Sequence, residues 1–144
     1  DITNVYRPFD WTAKYIGLSK HEWVALQARP RSANQMARMG LVNSSWTSTQ
    51  NQLSNVSNAY FRTLLDNTWT PIDKDGRQYT NADSSLYMAA YDLQMTFIPD
   101  LKGICQEFAE SNAAFLKHYV KGWVKLMNMD RYDGPVGNLC PSMQ

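Results

Sequence analysis

The stretch NAAFLKHYVKGWVKLMNM, residues 112–129, decides the fold class. Leu116, Tyr119, Val120, Trp123 and Met127 recur at i, i+3, i+4, i+7 and i+11, one stripe of a helix with about 3.6 residues per turn. No proline interrupts it, and it is the longest periodic segment in the chain. Its predecessor IPDLKGICQEFAE, 98–110, also reads as a helix, with Pro99 in the first turn, where a missing N–H removes no hydrogen bond. SNVSNAYFRTLLDN, 54–67, is a third, gathering Tyr60, Leu64 and Leu65 on one side.

Nearer the start, FDWTAKYIG, 9–17, is a short helical segment that Gly17 ends. Ser19-Lys20-His21-Glu22 follows as a capping box: the serine oxygen accepts an amide proton and the glutamate reaches back to the serine amide. Trp23 and Leu26 then share a face, and Pro30 stops the helix. The stretch WTPIDKDGRQYT, 69–80, differs: Asp75-Gly76 is a turn signal between two β-prone pieces, which predicts a small hairpin. The last residues, from about 130, hold two glycines and two prolines without period. The expectation is a mainly α fold with a small β-hairpin, one domain over residues 1–144 with an irregular C-terminal tail.

A chain of 144 residues with 44% hydrophobic and 19% charged residues can bury a core. The net charge is +1 and the lysines and arginines are scattered, which speaks against a nucleic-acid partner, since that needs a clustered basic face. No apolar run approaches the roughly 20 residues of a membrane span, so the chain is expected to be soluble or peripheral to a membrane. Its first residue is Asp, read here as the mark of a trimmed chain whose targeting segment is gone.

Few local motifs suggest chemistry. Asp73-Lys74-Asp75-Gly76 hints at a calcium loop, but the position of its bidentate glutamate falls on Ala82, so a plain turn is the better reading. His21 and His118 have no partner at ligand spacing and read as surface histidines, so no metal site is expected. Cys105 and Cys140 are compatible with one disulfide bridge or with two free thiols. Two glycosylation sequons, at Asn43 and Asn55, are too short to bear on the compartment. No phosphate loop, Cys-x-x-Cys pair or nucleophile elbow occurs.

Four segments in order carry a resemblance. AAFLKHYVKGWVKLMNMDRYDG, 113–134, closely resembles the last helix of catalase-peroxidases, in the class I haem peroxidase family shared with ascorbate and cytochrome c peroxidases. LSKHEWVAL, 18–26, looks like the helix that delivers the proximal haem ligand. GLVNSSWTSTQNQLSNVSNAYFRTLLDNTW, 40–69, looks like the segment with the proximal tryptophan and the following helix. YDLQMTFIPDLKGICQEFAE, 91–110, looks like the stretch that begins with the proximal aspartate.

In active members of that family a histidine binds iron, an aspartate accepts its other ring proton, and a tryptophan donates to the aspartate. The resemblance puts Trp46 at the tryptophan position and Asp92 at the aspartate position. The histidine position falls on Arg31, or on Pro30 with the one-residue-shorter ascorbate peroxidase spacing. Proline has no side-chain donor atom and a guanidinium has no lone pair to offer, so neither ligates iron. The resemblance therefore implies a vestigial triad in which Arg31 pairs with Asp92 by two parallel hydrogen bonds and Trp46 supplies an indole proton nearby. No catalytic, cofactor-binding or metal-binding residue is then expected, and no cofactor.

The Arg-x-x-Trp-His motif of the peroxide-binding half does not occur, so the chain resembles the proximal lobe alone. A wall facing the missing haem would be an apolar patch in need of a cover. The haem-free C-terminal domain of catalase-peroxidases resembles this chain in having an arginine at the ligand position. A plastid-lumen family resembles ascorbate peroxidase without working haem chemistry. By that analogy the expected function is that of a non-catalytic pseudo-peroxidase, an accessory subunit of a larger protein assembly. The lumenal side of a photosynthetic complex in the plastid is favoured over a mitochondrial assembly. The competing readings are one half of a split haem peroxidase completed by another chain, and a module that binds a small ligand in the vacated cleft.

Overall fold

The computed structural model describes residues 16–28 and 56–129. Among them run, in chain order, α1 (Lys20–Gln27), α2 (Ala59–Asp66), β1 (Thr70–Pro71), β2 (Gln78–Thr80), β3 (Tyr87–Ala89), α3 (Ala90–Phe97), α4 (Pro99–Glu110) and α5 (Asn112–Asn128). The fold is mainly α with a small antiparallel sheet, as the periodicity predicts. None of the described helices is long and apolar enough to cross a membrane.

Local chemistry explains most boundaries. Gly17 takes φ +77°, a left-handed conformation that glycine adopts without a Cβ penalty. At α1 the capping box is complete: Ser19 Oγ accepts from the Glu22 amide at 3.1 Å and Glu22 Oε2 accepts from the Ser19 amide at 3.1 Å. That helix ends at Gln27, before Pro30, which lies outside the described residues. Pro99 opens α4, and Ser111 Oγ caps α5 by accepting from the Ala114 amide. The last carbonyls of α4 are satisfied from elsewhere: Asn58 Nδ2 donates to Phe108 O and Ala109 O at 3.0 Å, and Arg62 Nε donates to Ala109 O.

The expected hairpin is present as β1 and β2, and β3 extends it into a three-stranded sheet of order β1-β2-β3. Asp73 Oδ1 accepts from the amides of Arg77 and Gln78, and Gly76 has φ +62°. The Asp73 carboxylate is thus part of the turn, as the plain-turn reading had it. The third strand was not read from the sequence because the signal that turns the chain is a side chain: Asn81 Oδ1 accepts from the amides of Ser85 and Leu86. Pro71 sits in the edge strand, where it interrupts no ladder.

The core gathers around α4, which touches α1, α2, α3 and α5. Phe61, Phe108 and Phe115, from α2, α4 and α5, meet edge to face with centroids 5.3–5.9 Å apart. All three are fully buried, and each such ring contributes about 1.5–3 kcal/mol by leaving water.

Only part of the α5 stripe faces the core: Leu116 and Tyr119 pack against it half-buried, whereas Val120, Trp123 and Met127 are 57%, 39% and 54% exposed. The buried positions are Phe115 and Gly122. The reason is steric. A Cβ at Gly122 would stand 3.1 Å from Glu22 O and from Leu26 Cγ and Cδ1, so the missing side chain lets α1 lie against this side of α5. A glycine leaves no mark in an apolar pattern, and the helix turned accordingly.

Substitution separates this packing role from helix propensity. Gly122→Leu is expected to lower stability by about 1–3 kcal/mol by forcing the two helices apart. Gly103→Ala, at an exposed position of α4 with nothing within 4 Å of the new Cβ, is expected to raise it by about 0.5–1 kcal/mol. Urea denaturation midpoints of the two variants read both signs.

Candidate functional site

Asp92 is the third residue of α3, in the turn where free backbone amides and the helix dipole favour a negative charge. It is fully buried, and the Tyr60 hydroxyl of α2 donates to its Oδ1 at 2.6 Å. The sequence singled out Asp92 but read Tyr60 only as an apolar position. The missed signal is the phenol itself, since a tyrosine at a core position has to place its hydroxyl on an acceptor. Arg31 and Trp46, the other members of the expected triad, lie outside the described residues. Two residues further along α3, Gln94 is buried with neither amide atom hydrogen-bonded, a desolvation cost that this helix bears.

Beside this point, where α1, α3 and α5 meet, a cleft of about 150 Å³ is lined by Leu18, Trp23, Leu26 and Leu126, with Gln27 and Tyr91 as its polar edge. The Gln27 amide nitrogen is already donated to Trp23 O. No imidazole or thiol among the described residues lines this cleft.

Cys105 is a free, fully buried thiol on α4, and burial pushes its pKa up to about 12, so it offers almost no thiolate. Cys140 lies outside the described residues.

The histidines are not the isolated surface groups that the sequence suggested. His21 of α1 and His118 of α5 lie 4.9 Å apart by ring centroid, tilted by 35°, and both lean on Phe108. His21 Nε2 is 3.0 Å from Glu107 Oε2, while His118 Nδ1 is buried without a hydrogen-bond partner. Among the described residues no three His, Cys, Asp or Glu side chains converge as metal ligands. Residues so far apart in sequence carry no spacing signal, so only the packing of α1 on α5 could bring the rings together.

Two groups at this junction titrate below their ordinary range. Burial is the largest influence on His118 and lowers its pKa; His21, Lys117 and Lys121 push the same way, and Glu107 opposes them. At Glu22 burial alone would raise the carboxyl, but the Lys125 ammonium at 2.8 Å, the Ser19 amide and the nearby His118 together outweigh it and hold it down.

Three catalase-peroxidases show the similarity of the chain to known proteins. The protein of Aspergillus terreus is 32% identical over 130 residues, 84% of this chain and 17% of its own length. That of Bradyrhizobium sp. (strain BTAi1) is 33% identical over 91 residues, 57% of this chain and 12% of its own. That of Pyrenophora tritici-repentis is 27% identical over 109 residues, 66% and 14%. The matches support a relationship to the haem peroxidases. The chain spans 12–17% of the length of these catalase-peroxidases. No protein-family model matches it.

The lowered groups set a pH dependence. A pKa lower in the folded state means that the unfolded chain binds more protons, so stability rises with pH. The His118 contribution is complete above about pH 6.5, the ordinary histidine value, and is lost as pH falls through the lowered folded value. The Glu22 contribution is lost further down, below about pH 4.3. Melting temperatures measured from pH 7 to pH 3 are expected to fall in both windows, and His118→Phe is expected to flatten the upper window most.

Proposed function

We propose that this chain is a haem-free, peroxidase-derived domain that performs no redox chemistry and braces a larger protein assembly. It corresponds in this reading to the proximal lobe of a class I haem peroxidase. The observation that carries it is the state of Asp92. The carboxyl group at the aspartate position is enclosed in the core and accepts a hydrogen bond from a tyrosine of another helix. Arg31 at the ligand position, from the resemblance, agrees with it. What was a support for catalysis is kept as a support for packing. The photosynthetic, lumenal setting rests on the resemblance alone.

Titration with hemin followed by absorption and by peroxide consumption tests the reading. The expected result is no saturable Soret band at one equivalent and no turnover above that of free hemin. A one-to-one complex with turnover would overturn it and favour one half of a split peroxidase.

A further inference from the structure

The exposed face of α5 that the core did not use is suited to a second role. Val120, Trp123, Val124 and Met127 stand at i, i+3, i+4 and i+7, each 39–57% exposed, and make a straight apolar stripe about 10 Å long at 1.5 Å per residue. Trp123 is held by Tyr119 in a parallel stack with centroids 6.3 Å apart and a 4° interplanar angle, so little side-chain freedom remains to be lost on binding. A tryptophan fixed in this way is the residue type that most often anchors an interface.

Charge narrows the partner. On one rim of the stripe Lys117 and Lys121 are exposed, and neither pairs with a described carboxylate. Over its whole length α5 holds Lys117, His118, Lys121 and Lys125 and no acidic residue. The carboxylates that face it from α1 and α4, Glu22 and Glu107, are engaged by Lys125 and His21. An antiparallel pair of two copies would set this lysine rim against itself. A partner helix with acidic residues along one flank would neutralise it.

We propose that this face of α5 docks an amphipathic helix of another protein, with apolar residues at i, i+3, i+4 and i+7 and glutamates or aspartates opposite Lys117 and Lys121. The proposal builds on the bracing role by naming the surface and the chemistry of what is braced. Two elements explain the arrangement: the apolar knobs supply the buried area, and the lysines set orientation and exclude basic competitors.

The probe is a labelled synthetic helix with leucines at those four spacings and glutamates along one flank, compared with the same peptide carrying lysines, both read by fluorescence anisotropy. The acidic peptide is expected to bind at least tenfold more tightly than the basic one. Trp123→Ala with Val124→Ser should weaken it tenfold or more without changing the melting temperature, and Lys117→Glu with Lys121→Glu should reverse the preference. Equal binding of both peptides, or of neither, overturns the proposal. So does dimerisation in sedimentation that Val124→Ser abolishes, or loss of stability in the stripe variants, which would assign the face to a second copy or to the chain itself. The hemin titration is independent of all these results, so a failed docking surface leaves the haem-free reading standing.

Discussion

A carboxylate with no access to water has to be held, and Asp92 is the point at which this domain meets that requirement. Left without hydrogen bonds in the core, the group would be costly to bury. Its place in the first turn of α3 gives it the favourable end of a helix dipole, and the Tyr60 hydroxyl gives it a short bond from α2. Because β3 runs directly into α3, that bond also fixes the sheet relative to α2. The contact thus ties α2 to α3 and, through the chain, to β3.

The other fixed point is the contact of α1 with α5. The gap at Gly122 admits the α1 backbone, Lys125 closes onto Glu22 and onto Gly17 O, and the two histidines come face to face above Phe108. This arrangement decides which side of α5 is buried. Once Phe115 and Gly122 turn inward, Val120, Trp123, Val124 and Met127 must turn outward. The glycine that builds the junction thus also decides which apolar residues of α5 stay exposed.

Much of this was legible. Periodicity placed α2, α4 and α5, the serine and glutamate of the capping box placed the start of α1, and Asp75-Gly76 placed the turn between β1 and β2. Strand β3 escaped because Asn81 turns the chain through its side chain. The rotation of α5 escaped because an apolar pattern records what is present at Leu116 and Val120 and says nothing of the space left at Gly122. The site was half legible: Asp92 emerged by resemblance, whereas Tyr60 and the His21–His118 pair depend on distant segments meeting. Arg31 and Trp46, which the resemblance makes companions of Asp92, lie outside the described residues.

The claim that Asp92 is kept for packing is tested most directly by a double-mutant cycle with Tyr60→Phe and Asp92→Leu, read by denaturant unfolding. The account predicts a coupling of roughly 1–3 kcal/mol, because both single changes remove the same Tyr60–Asp92 hydrogen bond and the double change removes it only once. Strictly additive effects, with Asp92→Leu as stable as the parent chain, would show that the buried carboxylate holds nothing together.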